Sequence, residues 1–184
     1  MIIGITGTDG AGKGAVVDYL IDTKGFVHYS SRDLITAQIQ ANNLPVNREN
    51  MRLVANQMRK EHGLDVIVKT ALQRMRAEGV HDAIIESIRA LQELEALHAA
   101  GGHLLAVDAN QDMRYQRISG RQSEADKVSF QEFVAQEQIE MNDPDPNGMQ
   151  KASVIQKADY TIMNNGTLAE LGEQVEIFLK TSHD

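Results

Sequence analysis

The chain has 184 residues, a length typical of one domain. Its 26 acidic side chains outnumber its 18 basic ones and give a net charge of −8, the opposite of the balance in a general nucleic-acid-binding protein. Cysteine is absent, which excludes disulfides, thiolate zinc sites and cysteine nucleophiles. With no signal peptide and no run of about 18 apolar residues, we expect a cytoplasmic protein without membrane or nucleic-acid partners.

In chain order, short apolar strands alternate with helices. The pattern predicts a strand over 1–6, a helix over 15–21, a strand over 26–30, helices over 33–41, 47–62 and 64–78, a strand over 83–86, a helix over 91–100, a strand over 103–108, helices over 112–119 and 129–141, a strand over 160–164 and a helix over 168–178. Ser129 and Thr167 each precede a glutamate by three residues, the spacing of a helix capping box. The alternation favours an α/β fold with one parallel sheet covered on both faces.

A glycine-rich loop follows the first strand, and from Gly7 to Lys13 it fits the pattern G-x-x-x-x-G-K. Glycines let consecutive backbone N–H groups converge on a phosphate at the positive end of the next helix, and Lys13 adds a charge for the β and γ phosphates. The alternative is an ordinary turn with an exposed lysine. The residues expected to contact ATP are Asp9, Gly10, Ala11, Gly12, Lys13, Gly14 and Ala15.

Position 14 is glycine where phosphate-binding loops usually carry the Ser or Thr that binds Mg²⁺. Gly-Lys-Gly resembles adenylate and UMP/CMP kinases, which implies that Mg²⁺ is held through water. No direct metal ligand is predicted, and Glu86 is the one candidate for contact with the Mg²⁺ site. Asp9-Gly10-Ala11-Gly12-Lys13 resembles thymidylate kinases. That likeness implies that Asp9 contacts a hydroxyl of the acceptor; the alternative is an aspartate that stabilises the turn.

Glu86 and Arg89 follow the third strand. A carboxylate at the carboxyl end of that strand can hold a Mg²⁺-bound water or receive the acceptor's proton. The segment resembles the Asp-Gly-x-Pro-Arg of nucleoside monophosphate kinases, which implies that Arg89 grips the acceptor phosphate. The alternative is a pair of strand-end residues that cap the next helix.

Arg114, Arg117 and Arg121 lie on one predicted helix that contains no acid between them and runs into a polar segment. Arg117 and Arg121 share a helical face and could neutralise charge on the transferring phosphoryl group. Arg117 to Arg121 is similar to the Arg-x-x-Gly-Arg that opens the lid of adenylate kinases, which implies a short lid over about 114–130. The alternative is a solvated helix face.

Ser31, Arg32 and Asp33 stand where the same kinases carry Ser-Thr-Gly-Asp at the mouth of the acceptor pocket, which makes them candidate acceptor contacts. The arginine expected three residues later is Thr36. Arg59 is the candidate to replace it, whereas Arg48 is interpreted as a surface charge. Helices over about 31–78 are therefore expected to bind the acceptor.

The whole chain resembles an archaeal-type family of dephospho-CoA-kinase-like and adenylate-kinase-like proteins. The likeness rests on Gly4–Gly7, Gly10-x-Gly12-Lys13, Arg59–Gly63, Ile88-Arg89, Arg117-x-x-x-Arg121 and Ala158–Leu168. It implies a single P-loop kinase domain over 1–184, with strand order 2-3-1-4-5. The expected activity is Mg-ATP-dependent phosphorylation of a small nucleotide, and a (deoxy)nucleoside monophosphate is the favoured acceptor. The alternatives are a dephospho-CoA kinase and a regulatory protein that binds ATP with little turnover; the oligomeric state is left open.

Overall fold

A computed structural model describes residues 1–120, 129–141 and 150–182. The strands are β1 (Ile2–Gly7), β2 (Val27–Ser30), β3 (Ala83–Glu86), β4 (His103–Asp108) and β5 (Tyr160–Met163). The helices are α1 (Lys13–Lys24), α2 (Ser31–Ala41), α3 (Arg48–His62), α4 (Val66–Ala77), α5 (Leu91–Ala99), α6 (Gln111–Ser119), α7 (Phe130–Met141), α8 (Lys151–Gln156) and α9 (Leu168–Thr181).

The five strands form one sheet in the order β2-β3-β1-β4-β5, and every neighbouring pair is parallel. This confirms the predicted α/β fold and its strand order. Because all carboxyl ends of a parallel sheet lie at one edge, the segments that follow β1, β3 and β4 meet there. The predicted candidate residues in the glycine loop and after β3 fall at this edge.

Two hydrophobic layers enclose the sheet, since successive strand residues point to opposite faces. Ile84 and Leu105 pack in the layer that includes α1 and α9, whereas Ile85 and Leu104 pack against α2 to α5. The three inner strands, β1, β3 and β4, are buried on both faces and therefore appear in the sequence as continuous apolar runs, which made them predictable.

The helix starts agree with the predicted caps. Asn47 Oδ1 accepts a hydrogen bond from the Asn50 N–H, and the Ser129–Glu132 and Thr167–Glu170 pairs make reciprocal capping hydrogen bonds. One helix, α8, was missing from the prediction. It has only six residues and no side-chain cap among the described residues, so it lacks both the periodicity and the start signal of a longer helix.

Across the described segments, no helix combines the length and the apolar character needed to cross a bilayer.

Glycine is required at position 7 and is dispensable at position 14. A Cβ at Gly7 would lie 2.0 Å from the main-chain oxygen of Val107, at a φ of +136°, whereas a Cβ at Gly14 would have no atom within 4 Å. We predict that Gly7→Ala lowers the free energy of unfolding by about 3 kcal/mol or more. Gly14→Ala should raise it by up to about 1 kcal/mol, because alanine is the better helix former.

Urea unfolding of both variants measures the two effects. Equal free energies of unfolding for Gly7→Ala and the unmodified chain would contradict the described packing of the loop against β4.

Candidate functional site

The loop between β1 and α1 turns sharply at glycines with positive φ, among them Gly10 at +80° and Gly12 at +96°. A Cβ at Gly10 would lie 2.5 Å from the Arg114 main-chain oxygen, and one at Gly12 would lie 2.3 Å from Asn164 Nδ2. Gly12 precedes α1 directly, and no side chain of the described residues caps that helix. The first N–H groups of α1 therefore form a site suited to an anion.

Lys13 is folded against this loop. Its Nζ donates hydrogen bonds to the main-chain oxygens of Gly7 (3.1 Å) and Thr8 (2.8 Å) and lies 3.7 Å from Asp9 Oδ1. Burial lowers the pKa of Lys13 to about 8, partly opposed by the nearby Asp9 carboxylate. The ammonium is thus charged at neutral pH and lies at the start of α1, and its predicted contact with the β and γ phosphates stays a prediction.

Side chains at the ends of β4 and β5 hold the loop from outside. Thr8 Oγ1 donates to Asp108 Oδ1 (2.5 Å), and Asn164 Nδ2 donates to the Ala11 main-chain oxygen (2.7 Å). Asp108 and Asn164 were not among the predicted site residues, because no local pattern marks their contact with a loop far away in the sequence.

Arg117 contacts the same loop. Its guanidinium donates to the main-chain oxygens of Gly10 (3.5 Å), Ala11 (3.4 Å) and Asn164 (2.9 Å). This arginine therefore positions the loop, and its predicted contact with the transferring phosphoryl group stays a prediction. Arg121, the second arginine of the predicted lid, lies outside the described residues.

The structure places Arg114 inside the protein, whereas the sequence had suggested that the arginines of this helix face a ligand. It is buried, donates to the main-chain oxygens of Ala109 (2.9 Å) and Asp9 (3.3 Å), and forms an ion pair with Glu137 of α7. The lack of an acid between Arg114 and Arg121 was misleading, because the carboxylate partner of Arg114 comes from the next helix, α7. Arg114 joins α6, α7 and the loop.

Asp9 has a partner that the sequence did not reveal. Lys151, the first residue of α8, donates from Nζ to Asp9 Oδ1 at 2.9 Å. The Lys151 side chain is 3% exposed, whereas that of Asp9 is 45% exposed. The predicted contact of Asp9 with an acceptor hydroxyl stays a prediction, and the partners of its carboxylate in the described part of the chain include Lys151 and Lys13.

The segment after β3 holds a carboxylate and a strained residue. Glu86 Oε2 lies 3.2 Å from His28 Nε2, and this imidazole is the main cause that lowers the pKa of Glu86 below its usual value. Ser31 Oγ donates to the Glu86 main-chain oxygen (2.6 Å) and joins α2 to β3. Ser87 has a φ of +71°, uncommon for any residue but glycine and frequent at functional sites.

A cavity of about 550 Å³ opens beside this segment. It is lined by Ser31, Arg32, Ile35, Val46, Asn47, Met51, Arg59, Ile67, Ser87 and Arg89. Ser87 and Arg89 also line a cleft with Thr6, Gly7, Lys13 and Lys151. The cavity and the loop cleft therefore adjoin, and the structure brings together Ser31, Arg32, Arg59 and Arg89 as expected.

Asp33 is the predicted acceptor residue that the structure places elsewhere. It is exposed on the first turn of α2, outside the lining of the 550 Å³ cavity, and its N–H donates to Ser30 Oγ at 3.4 Å in the cap of that helix. Its local role is therefore at the helix start, where a carboxylate also favours the helix dipole.

Glu93 is a site residue that sequence reasoning missed. It is 1% exposed, and its Oε2 accepts hydrogen bonds from the N–H groups of Arg89 (2.7 Å) and Ala90 (3.1 Å), while Oε1 lies 3.9 Å from Arg59 Nη2. Burial raises the pKa of Glu93, against the effect of the hydrogen bonds. This carboxylate positions two arginines of the cavity. Glu93 lies three residues after Ala90, the N-cap of α5, which is the position of the glutamate in a capping box, but Ala90 lacks the hydroxyl that would have completed the signal.

Nothing in the described part of the chain forms a protein cage for a metal, since no group of three or more histidine, aspartate or glutamate side chains is close enough to hold one. The carboxylates of Asp9, Glu86 and Asp108 at this edge are already engaged by Lys151, His28 and Thr8. This donor set fits Mg²⁺ that keeps most of its waters, and it does not fit a metal coordinated mainly by protein.

Comparison with known proteins supports the same architecture. TT1252 from Thermus thermophilus has a TM-score of 0.62 at 22% identity, covering 98% of this chain and 97% of that chain. Shikimate kinase from Aquifex aeolicus has a TM-score of 0.57 at 13% identity, covering 100% and 98%. These similarities show the fold, which is that of P-loop kinases.

Sequence comparison identifies the family. A UPF0200 protein of Thermococcus sibiricus is 30% identical over 182 residues, which cover 96% of this chain and 92% of the relative. The family model AAA_18, described as an AAA domain, matches residues 3–143. The chain therefore belongs to the UPF0200 proteins and carries an AAA domain with a P-loop.

Proposed function

We propose that this protein transfers a phosphoryl group from Mg-ATP to a small nucleotide, with a (deoxy)nucleoside monophosphate as the acceptor. The observation that carries the proposal is the adjoining pair of sites: the loop cleft and the 550 Å³ cavity share Ser87 and Arg89. A donor whose phosphates lie on the glycine loop and an acceptor in the cavity would meet at these two residues. Phosphoryl transfer depends mainly on such positioning and on charge stabilisation.

On the donor side, the N–H groups at the start of α1 and the Lys13 ammonium bind the ATP phosphates. Asp9, Gly10, Ala11, Gly12, Gly14 and Ala15 form the remaining wall around them. Arg117 holds the loop in shape through the carbonyls of Gly10 and Ala11. In the proposal, Arg117 and Arg121 also offset negative charge at the transferring group, from a short lid over about 114–130.

On the acceptor side, three guanidinium groups line the cavity: those of Arg32, Arg59 and Arg89. Such a concentration of positive charge in a protein of net charge −8 favours an anionic acceptor. Apolar side chains such as Ile35 and Ile67 line the rest of it and suit a base or a sugar face. Ser31 is near enough to contribute a hydroxyl, and Asp33 would take part only after a movement of α2.

Mg²⁺, when bound, supplies positive charge to the ATP phosphates. Glu86 is the residue that would contact its water shell, because it ends β3 beside the cleft. The His28 imidazole keeps the Glu86 carboxylate ionised, a form that can also accept a proton from the acceptor.

Two other functions are compatible with this site. A dephospho-CoA kinase would perform the same transfer on a ribose hydroxyl. A regulatory protein that binds ATP with little turnover is favoured by Gly14, which has no hydroxyl for the metal.

A coupled assay for ADP release, run with each nucleoside monophosphate and with dephospho-CoA, separates these functions. Turnover with monophosphates alone is the proposed result. Turnover with dephospho-CoA alone identifies the second function, and ATP binding without turnover on any acceptor identifies the regulatory one.

Lys13→Met should reduce kcat/KM for ATP by about a hundredfold or more, because it removes the ammonium beside the β and γ phosphates. Lys180→Met is the control, since Lys180 is exposed on α9 far from the loop, and it should leave the rate unchanged. Steady-state kinetics with matched thermal unfolding curves measure both. Comparable rates for the two variants would contradict the role of Lys13.

The affinity for ATP should fall as the pH rises past about 8, the pKa of Lys13. Below this pH the ammonium is protonated and attracts phosphate; above it the amine is neutral and the attraction is lost. Calorimetric titrations from about pH 7 to about pH 9.5 measure this decline. It should be absent in Lys13→Met, and an affinity that stays constant in the unmodified chain would contradict the prediction.

Arg89→Ala should raise KM for the acceptor by about tenfold or more and change KM for ATP less, because the side chain is lost on the acceptor side. The main-chain N–H that binds Glu93 is retained, so the fold of this segment is kept. Arg76→Ala on the exposed side of α4 is the matched control. A variant that loses affinity only for ATP would refute this assignment.

A further inference from the structure

We propose that Lys151 is a further catalytic residue, which binds the γ phosphate of ATP, and that Asp9 is the internal counter-ion which this phosphate replaces. The inference rests on the proposed binding of ATP. It assigns a role to a residue outside the glycine loop, on a helix that the sequence did not predict.

The geometry brings two ammonium groups to one oxygen atom. Asp9 Oδ1 lies 2.9 Å from Lys151 Nζ and 3.7 Å from Lys13 Nζ. The distance between the two nitrogens is therefore no larger than the sum of these two distances. One phosphate group can bridge such a separation. Oδ1 marks a point where an anionic oxygen is attracted by both lysines, and Lys13 is the residue that the loop offers to the β and γ phosphates.

Lys151 lies in the same cleft as Lys13, beside the residues that the cleft shares with the acceptor cavity. Lys151 lines the cleft together with Ser87 and Arg89, which also belong to the acceptor cavity. The start of α8 is tied to the same segment, because the Gln150 N–H donates to the Arg89 main-chain oxygen at 2.8 Å. An ammonium held here faces the end of the triphosphate that is transferred.

The difference in burial between the partners gives the direction of the exchange. The Lys151 side chain is 3% exposed and is held within the protein, whereas the Asp9 side chain is 45% exposed and can turn toward water. A buried ammonium needs an anionic partner, because an unpaired buried charge is strongly unfavourable. Asp9 provides this partner before ATP binds, and a phosphate with more negative charge can take its place.

Binding of the γ phosphate by Lys151 would compensate for the missing hydroxyl at Gly14. The loop has no hydroxyl for Mg²⁺ at that position, so less positive charge is fixed there than in a loop with Ser or Thr. A second lysine at the γ phosphate supplies fixed charge from the protein itself. Lys13, Lys151 and Arg89 then surround the path of the phosphoryl group.

A purely structural role for Lys151 makes a different prediction. If Lys151 only neutralises Asp9, its removal matters because Asp9 loses the nearer of its two lysines, and removal of Asp9 as well should cancel the effect. If Lys151 binds the γ phosphate, its removal weakens ATP binding whether or not Asp9 is charged. The effect should also be specific for ATP over ADP, since ADP lacks that phosphate.

The experiment is calorimetric titration of the full chain with Mg-ATP and with Mg-ADP. The variants are Lys151→Met, Asp9→Asn and the double variant, with Lys157→Met as a control for an exposed lysine just after α8. We expect Lys151→Met to weaken ATP binding by about tenfold or more and ADP binding by less than about threefold. Compared with Asp9→Asn, the double variant should show the same selective loss of affinity for ATP over ADP.

Should Lys151→Met fail to fold, the double variant still provides the comparison, because it removes both charges and leaves neither unpaired. Equal weakening of ATP and ADP, or no difference between Asp9→Asn and the double variant, would overturn the role of Lys151 while leaving the proposed function in place. Absence of ATP binding by the unmodified chain would overturn the proposed function itself, and this inference with it.

Discussion

The close approach of the glycine loop to the ends of β4 and β5 is the constraint on which the site depends. Gly7 lies against the Val107 carbonyl, Gly10 against Arg114 and Gly12 against Asn164, at distances that leave no room for a Cβ. Asp108, Asn164 and Arg117 then hydrogen-bond the loop in this position. The N–H groups at the start of α1 can converge on one point because the loop is held from outside in this way.

Charge is distributed unevenly over the molecule. The chain is acidic as a whole, yet lysines and arginines gather at the carboxyl edge of the sheet: Lys13, Lys151, Arg32, Arg59 and Arg89. Two carboxylates stabilise this arrangement from different sides. Glu93 is buried behind the proposed acceptor cavity and holds Arg89 and Arg59, while Asp9 is half-exposed in the loop and pairs with lysines. The first fixes the geometry, and the second is the group that we propose exchanges with an incoming anion.

Local sequence patterns predicted much of the fold where a helix or turn depends on residues close together in the chain. Thr167 and Glu170 cap a helix within one turn, and the glycines that allow positive φ angles in the Gly7–Lys13 loop are visible in the sequence. The site was less predictable where it depends on distant contacts. Lys151 meets Asp9 across 142 positions, and Arg114 meets Glu137 across 23. Lys151 lies on a six-residue helix and Glu137 on a helix rich in polar residues. Neither residue is part of a sequence motif, so nothing near it in the chain indicates its partner.

The proposed function requires the loop to bind the triphosphate of ATP. Calorimetric titration with Mg-ATP, combined with hydrogen exchange of the loop amides, measures this binding. We predict measurable heat and slower exchange of the N–H groups of Gly10, Gly12, Lys13 and Gly14 in the presence of ATP. A titration without heat, together with unchanged exchange at these residues, would contradict it.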